Sequence, residues 1–419
     1  MMKDHAPRPD QLDRCRACDS DNLLLFLPMG DHPPANMFVR PEDRDAPQPA
    51  FPLNTQACLD CGMIQVADQI PDGFFTHYLY VPSGARTMHG HFEGLARVLT
   101  DLAQGGLIVD VGCNDGLMLS FANRMGGRTL GIDPAANLVA NAAANGVEVH
   151  VAYFGPGTAA EVRARRGPAQ VISTTNTLNH IGDLHGFMEG VRTLLSDDGW
   201  FVVEVPWGRD ILLTNQFDNV YHEHMSEMSL MSLVRLAEAT GMAVVDVTRL
   251  TVHGGSMRVF MRKAQAAQAP SAEVTAMLEA EREAGMQGAE AFADFAQRVE
   301  DIRDRLVWML ADLKASGARI AGYGAAAKGN TLLNYFGIGP ETLDYLVDRN
   351  PLKQGTLSPG VLIPIHGPEK IEEQRPDYLL VLAWNFFDEI RDQLRDYEAA
   401  GGKFIVPLPY PRIVGGGEG

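Results

Sequence analysis

The sequence predicts an α/β protein built from two Rossmann-like units of mostly parallel sheet, preceded by a small metal-binding module. Three observations carry that prediction. From Leu107 onward, short apolar runs alternate with helical periodicity, the rhythm of a parallel sheet covered on both faces. Glycine turns open a helix twice, once after Asp110 and once at Gly322–Asn330. Two CxxC pairs, Cys15/Cys18 and Cys58/Cys61, stand near the start.

Composition narrows the function classes. A chain of 419 residues can hold several domains that each bury a core. Its 46% hydrophobic and 21% charged residues are those of a soluble globular protein. The formal net charge of −18 and the lack of any Lys/Arg cluster argue against nucleic acid and anionic membrane as partners. The first residues lack the apolar core of a signal peptide, and no apolar run approaches the ~18 residues of a membrane span. A cytoplasmic monomer acting on a small molecule is expected. Four of the five cysteines fall in the two pairs, which in a reducing compartment points to metal rather than disulfides.

In chain order, residues 1–73 form the metal module. Four thiolates, from Cys15, Cys18, Cys58 and Cys61, close a tetrahedral Zn²⁺ with no open position, so the site is structural. Two inert thiol pairs are the alternative. The central unit covers 74–265. Its leading stretch, FFTHYLYVPSGARTM, carries Tyr78 and Tyr80, which either close over a ligand or pack the seam between units. A helix is expected at Leu95–Leu102, then strands at Leu107–Asp110, Thr129–Asp133, Val147–Val151, Val171–Thr174 and Trp200–Pro206. VVDVTRLTV and SMRVFMRK alternate about a His253-Gly254-Gly255 turn and read as an antiparallel hairpin. A helical linker follows at 266–316, with Phe295, Val299, Ile302, Leu306, Met309 and Leu313 on one stripe and Gly317 as its stop. The C-terminal unit, 317–419, has strands at Arg319–Ala321, Leu343–Val347, Tyr378–Ala383 and Phe404–Val406. Its glycine turn carries Lys328, and a cation at a helix start suits phosphate. NAD binding through Gly322-x-Gly324 is weaker because Ala327-Lys328-Gly329 breaks the third-glycine spacing, and a unit that binds nothing stays open.

The chemistry is concentrated in two places. At Leu107–Asp133, Gly112 and Gly116 let the backbone turn and a ligand approach, and Asp133 ends the next strand where it can accept ribose hydroxyls. Asp115 and the absence of a basic residue make this loop hostile to phosphate. Asp110-x-Gly112-x-x-x-Gly116 with Asp133 resembles motifs I and II of class I S-adenosylmethionine methyltransferases. That resemblance implies the cofactor and places Asp110, Gly112, Asn114, Gly116, Asp133 and Asn176 around it; Cys113 reads as packing. The second place is Asn219-Val220-Tyr221-His222-Glu223-His224, facing Asn176–His180 across the carboxyl ends of the strands. Acid/base work by histidine fits these residues better than a metal or a solvated loop.

Taken together, CxxC…CxxC, the central motif, YHEH, HGGS-x-R at His253–Arg258, GYGAAAKGNTLLN at 322–334, DRNPLKQG at 348–355 and LAWNFFDEI at 382–390 resemble the sugar-nucleotide C-methyltransferases of deoxysugar biosynthesis. Members that methylate C3 act on TDP-4-keto sugars. The resemblance implies that Tyr221, Glu223, His224 and His180 line the active site, with His224 as the base. Tyr221 or His180 would then stabilise the enolate, and Glu223 would hold the orientation of the histidine or the tyrosine. It also implies a sugar-nucleotide site drawing on Lys328, Tyr323, Asn330, Asp348 and Asn385, and on Tyr78 and Tyr80. Family members carry aromatic residues after YHEH, where this chain has Met225, Glu227 and Met228. An NAD-dependent oxidoreductase or epimerase, and a non-catalytic zinc-containing sugar-nucleotide-binding protein, are the competing readings.

Overall fold

A computed structural model describes residues 11–68 and 86–415. In the N-terminal module β1 (Leu23–His32) pairs antiparallel with β2 (Phe51–Cys58), and β2 with β3 (Ile64–Val66). The free edge of β3 is taken by a strand from the central unit, so this small module completes its sheet with residues far along the chain.

The central unit runs α1 (Arg86–Ala103), β4 (Leu107–Val111), α2 (Leu117–Arg124), β5 (Arg128–Ile132), α3 (Val139–Ala144), β6 (Val149–His150), α4 (Pro156–Arg166), β7 (Ala169–Thr175), α5 (Leu184–Leu194) and β8 (Leu195–Pro206). It continues through α6 (Gly208–Leu213), β9 (Ser226–Glu227), α7 (Leu230–Ala239), β10 (Met242–Leu250) and β11 (Ser256–Lys263). The sheet order is β10-β11-β8-β7-β4-β5-β6, with β11 alone running against the others, so the expected hairpin closes this edge of the sheet with its antiparallel strand. Every residue of β4 is buried, as a strand covered on both faces requires. Strand order reverses between β4 and β7, and such a switch point opens a crevice at the carboxyl ends of the strands. Helix α1 begins nine residues before the expected Leu95, and the expected Val147–Val151 strand shortens to β6.

The C-terminal unit follows α8 (Ala272–Glu283) and α9 (Ala289–Ala315) with β12 (Ile320–Tyr323), α10 (Ala327–Phe336), β13 (Leu346–Val347), β14 (Ile365–His366), α11 (Glu369–Gln374), β15 (Tyr378–Val381), α12 (Phe387–Gln393), α13 (Arg395–Ala399), β16 (Lys403–Val406) and β17 (Arg412–Val414). Its sheet, β14-β13-β12-β15-β16-β17, is parallel but for β17 and has a second switch point between β12 and β15. Helix α9 buries Phe292, Phe295, Val299, Ile302, Leu306 and Leu310. That stripe shares one core with Phe26 and Leu27 of β1 and with Leu332, Leu333 and Phe336 of α10. The segment expected to link two units therefore packs the first module against the last. No described helix is long and apolar enough to cross a membrane.

Candidate active site

The two CxxC knuckles converge. Cys15 Sγ lies 3.6 Å from Cys61 Sγ, Cys18 Sγ lies 3.5 Å from Cys58 Sγ, and all four sulfurs are within 4.8 Å of one another. Four thiolates at about 2.3 Å from Zn²⁺ in a tetrahedron stand about 3.8 Å apart, so the geometry fits the ion and leaves no position for a substrate.

At the central switch point, Gly112 has φ +78°, and a Cβ there would meet Thr177 Oγ1 at 2.1 Å. Asn114 and Asn176 adopt left-handed φ of 51° and 50°, which asparagine tolerates better than most residues, and Gly116 takes φ +73°. The two loops thus stay thin and face each other across β4 and β7. Asp133 Oδ2 accepts from the Asn114 backbone N–H at 2.9 Å and Oδ1 from Ala135 N–H at 2.8 Å, which ties the glycine loop to the end of β5. Asn176 Oδ1 is buried without a partner among the described residues. Asp110 accepts from Ser173 Oγ at 2.6 Å. Burial pushes its carboxyl up to about 7, Asp133 and Glu204 add to the rise, and Ser173 opposes it. A loop of close-packed carboxylates with an unpartnered amide oxygen fits a cationic adenosyl sulfonium and is hostile to pyrophosphate.

Sequence reasoning missed one feature beside this crevice. Glu204, at the end of β8, is gripped by His91 Nε2 from α1 and, at 2.9 Å, by Arg258 Nε from the directly opposed position on β11. Burial pushes the Glu204 carboxyl up, and its contacts with His91 and Arg258 more than reverse it. Arg258 was legible inside HGGS-x-R, but a contact spanning α1, β8 and β11 has no local signature.

The second cluster is built on a turn at Phe217–Asn219, the YHEH loop, and β9. Tyr221 Oη lies 2.5 Å from His224 Nε2, and the two rings stack at 4.0 Å. On the other side, His224 Nδ1 lies 3.0 Å from Glu227 Oε1. His180, from the loop after β7, meets His224 edge-on with ring centroids 4.8 Å apart. Burial, followed by the Lys328 cation, pushes His224 down to about 3; burial and then His224 push His180 well below its usual value. Both imidazoles are therefore neutral at physiological pH and carry a lone pair able to accept a proton.

Glu223 corrects an expectation. Both of its oxygens accept from Asn36 Nδ2 at 2.8 Å, and burial pushes it up to about 7. The carboxylate beside His224 Nδ1 is instead that of Glu227, in the segment where this chain has Met225, Glu227 and Met228. His222 Nε2–H points at the carbonyls of Phe51 and Pro52, 3.3 and 3.2 Å away, and holds the loop against β2.

The C-terminal unit reaches this cluster through Lys328, on the first turn of α10. Its Nζ lies 5.7 Å from the centre of the Trp384 ring and faces the carboxylates of Asp218 and Glu227. Trp384 Nε1 donates to Asp218 Oδ2 at 2.7 Å. Asn385 is half-buried next to Trp384. The other candidates contact the protein itself. Asp348 accepts from the backbone N–H of Ala325 and of Asn350, both at 2.8 Å, while Lys353 Nζ caps the Ala325 carbonyl at 2.8 Å. Asn330 donates to Ala35 O at 2.8 Å beneath the N-terminal segment. Tyr323 packs its ring into the core of the C-terminal sheet. Tyr78 and Tyr80 lie outside the described residues.

Comparison with known proteins matches three family profiles: a zinc binding domain over residues 15–73, a methyltransferase domain over 85–247 and a C-methyltransferase C-terminal domain over 251–409. C-methyltransferase NovU of Streptomyces niveus is 38% identical over 407 residues, covering 96% of this chain and 97% of that protein. A ubiquinone biosynthesis O-methyltransferase of Rhodopseudomonas palustris (strain TIE-1) is 28% identical over 112 residues, 27% of this chain and 44% of that one. Among solved structures, the CcbJ methyltransferase from Streptomyces caelestis shares 15% identity, with a TM-score of 0.33 over 41% of this chain and 89% of its own. The glycine crevice, the four-thiolate knuckle and a likeness running nearly end to end lead to one assignment: the chain belongs to the C-methyltransferase family, as an S-adenosylmethionine-dependent enzyme with a structural zinc module.

Proposed function

We propose that the enzyme methylates C3 of a TDP-linked 4-keto deoxysugar, with His224 as the base. The observation that carries this reading is the buried, neutral His224 held at both nitrogens, by Glu227 at Nδ1 and Tyr221 at Nε2. A proton α to a ketone is acidic enough for imidazole only when the developing oxyanion finds a donor. On this reading the C3 proton passes to His224 Nε2, its electron pair moves into the enolate, and the Tyr221 hydroxyl turns its hydrogen bond from His224 to O4. His180, packed edge-on, keeps the His224 ring from rotating. S-adenosylmethionine supplies the electrophilic methyl that C3 receives.

The division of labour follows the chain: 1–73 braces, 74–265 binds cofactor and abstracts the proton, 266–316 joins, and 317–419 holds the nucleotide. Lys328 beside the Trp384 ring, at the glycine turn of the second switch point, supports an anionic, stackable ligand there. The protein would act in the cytoplasm as a monomer.

His224→Asn is expected to lower kcat by about 10²- to 10⁴-fold, the usual worth of a positioned base, with both ligands still bound. Near-normal turnover by that variant would remove the base assignment. Thermal shifts with TDP, UDP, GDP and CDP test the nucleotide. One ligand at ~100-fold excess over its Kd adds about 2.7 kcal/mol, and a response to none of them would refute a sugar-nucleotide substrate.

A further inference from the structure

We infer that Glu227 is the positioning residue of this active site: braced by the zinc module, its carboxylate fixes His224 with the ring proton on Nδ1 and the lone pair on Nε2. The inference rests on His224 being the base.

The side chain has the His224 ring in hydrogen-bond range and the Lys328 cation facing it. Glu227 is 1% exposed, its Oε1 sits 3.0 Å from His224 Nδ1, and Oε2 has no hydrogen-bond partner among the described residues. The other carboxylates near the loop are taken, Glu223 by Asn36 and Asp218 by Trp384. The backbone that carries Glu227 is held by both zinc knuckles. Ile64 and Gln65, just past Cys61, pair with Glu227 and Ser226. The carbonyl of Met225 accepts from Val66 N–H at 3.1 Å and from Arg16 Nη1, between Cys15 and Cys18, at 3.0 Å. Two residues after Glu227, Ser229 Oγ donates to the Cys61 carbonyl at 2.6 Å. Metal ligands thus flank the strand that presents the carboxylate.

The charge on Glu227 decides the tautomer. An ionised Glu227 accepts from Nδ1–H and leaves Nε2 free to take a proton. A protonated Glu227 donates to Nδ1, the ring proton moves to Nε2, and the base is blocked. The titratable groups around it are His224, His180 on the turn that β9 packs against, Asp218, and Lys328 from α10. Burial pushes Glu227 up to about 8 while Lys328 pulls it back, whereas His224 is already neutral far below that. Turnover should therefore rise with pH through about 8, and the limb belongs to Glu227, not to the histidine.

The test uses the full-length zinc protein labelled with ¹⁵N-histidine, with S-adenosylhomocysteine and TDP bound. It compares wild type, Glu227→Gln, which keeps the shape, and Glu227→Leu. In the wild type, the His224 proton is expected to move from Nε2 to Nδ1 as pH rises through about 8, in step with kcat. Glu227→Gln should lose both transitions. Glu227→Leu should place the proton on Nε2 and lower kcat about 100-fold, with KM changed by less than about twofold. A His224 tautomer that ignores both substitutions, or an ascending limb that persists in Glu227→Gln, would overturn the inference. The tautomer titration needs no turnover, so it reads the Glu227–His224 contact by itself. Normal activity of His224→Asn would instead remove the base reading and, with it, the catalytic meaning of Glu227.

Discussion

Asp110 shows how a single side chain can read the charge of a ligand. It is buried against Asp133 and Glu204, and in the free protein its carboxyl titrates at about 7. A sulfonium carries a positive charge and its demethylated product does not. Placing the cation in the crevice favours the ionised Asp110 and lowers its pKa. By linkage, binding of S-adenosylmethionine then releases protons near neutrality, and its affinity rises as pH increases through 7. Binding of S-adenosylhomocysteine lacks that dependence. Calorimetry at pH 6 and pH 8 should show the preference for S-adenosylmethionine growing several-fold with pH, and Asp110→Asn should abolish the growth. Equal slopes for the two ligands in the wild type would mean that Asp110 does not face the charge. The motif spacing predicted that Asp110 belongs to the cofactor site. The contact of Glu204 with His91 and Arg258 could not be predicted, because the three lie on different elements with no periodic relation to the glycine loop.

At the scale of elements, legibility tracked the distance over which a pattern acts. The β10–β11 hairpin, the CxxC pairs and the two glycine turns are local, and all stand where the residues put them. Strand β9 is two residues long, too short for any alternation, and its partner β3 lies more than 150 positions earlier in the chain. For the same reason Glu223 was the natural candidate for orienting a neighbouring histidine. Only the pairing with β3 turns Glu227 inward in its place. The pairing also predicts what metal removal does. Without the ion, the knuckles lose the bonds that shape Cys58–Val66, and β3 cannot hold β9. Chelation should accelerate amide exchange at Ser226, Glu227 and Ser229 while the fully buried β4 stays protected. Unchanged exchange at those amides after complete zinc loss would show that β9 stands without its brace.

The whole molecule stores its chemistry as buried titratable groups, and that storage has a cost in stability that depends on pH. The stripe on α9 ties the first module to the last, so the YHEH loop is enclosed by β2 on one side and α10 on the other. Burial in this loop raises Glu223 to about 7 and Glu227 to about 8, and burial in the central sheet raises Asp110 to about 7. In each case the folded state holds its proton over a pH range where the unfolded chain has already released it. The stability each contributes therefore falls as pH rises from its unfolded value, 3.8 for Asp110 and 4.5 for the two glutamates, to its folded pKa. The buried histidines act oppositely. His32 at about 4, His224 at about 3, and the depressed His180 and His222 are uncharged in the fold, so they add stability as pH rises toward 6.5 and nothing beyond it. Between pH 6.5 and 8 these carboxyls still titrate in the fold while the histidines contribute no further change. In urea unfolding across that window Glu227→Gln is expected to gain stability relative to wild type as pH rises, since the amide needs no proton to stay buried. A difference between wild type and Glu227→Gln that stays constant over the same window would mean that Glu227 is ionised in the free fold and is set by its neighbours well before the substrate arrives.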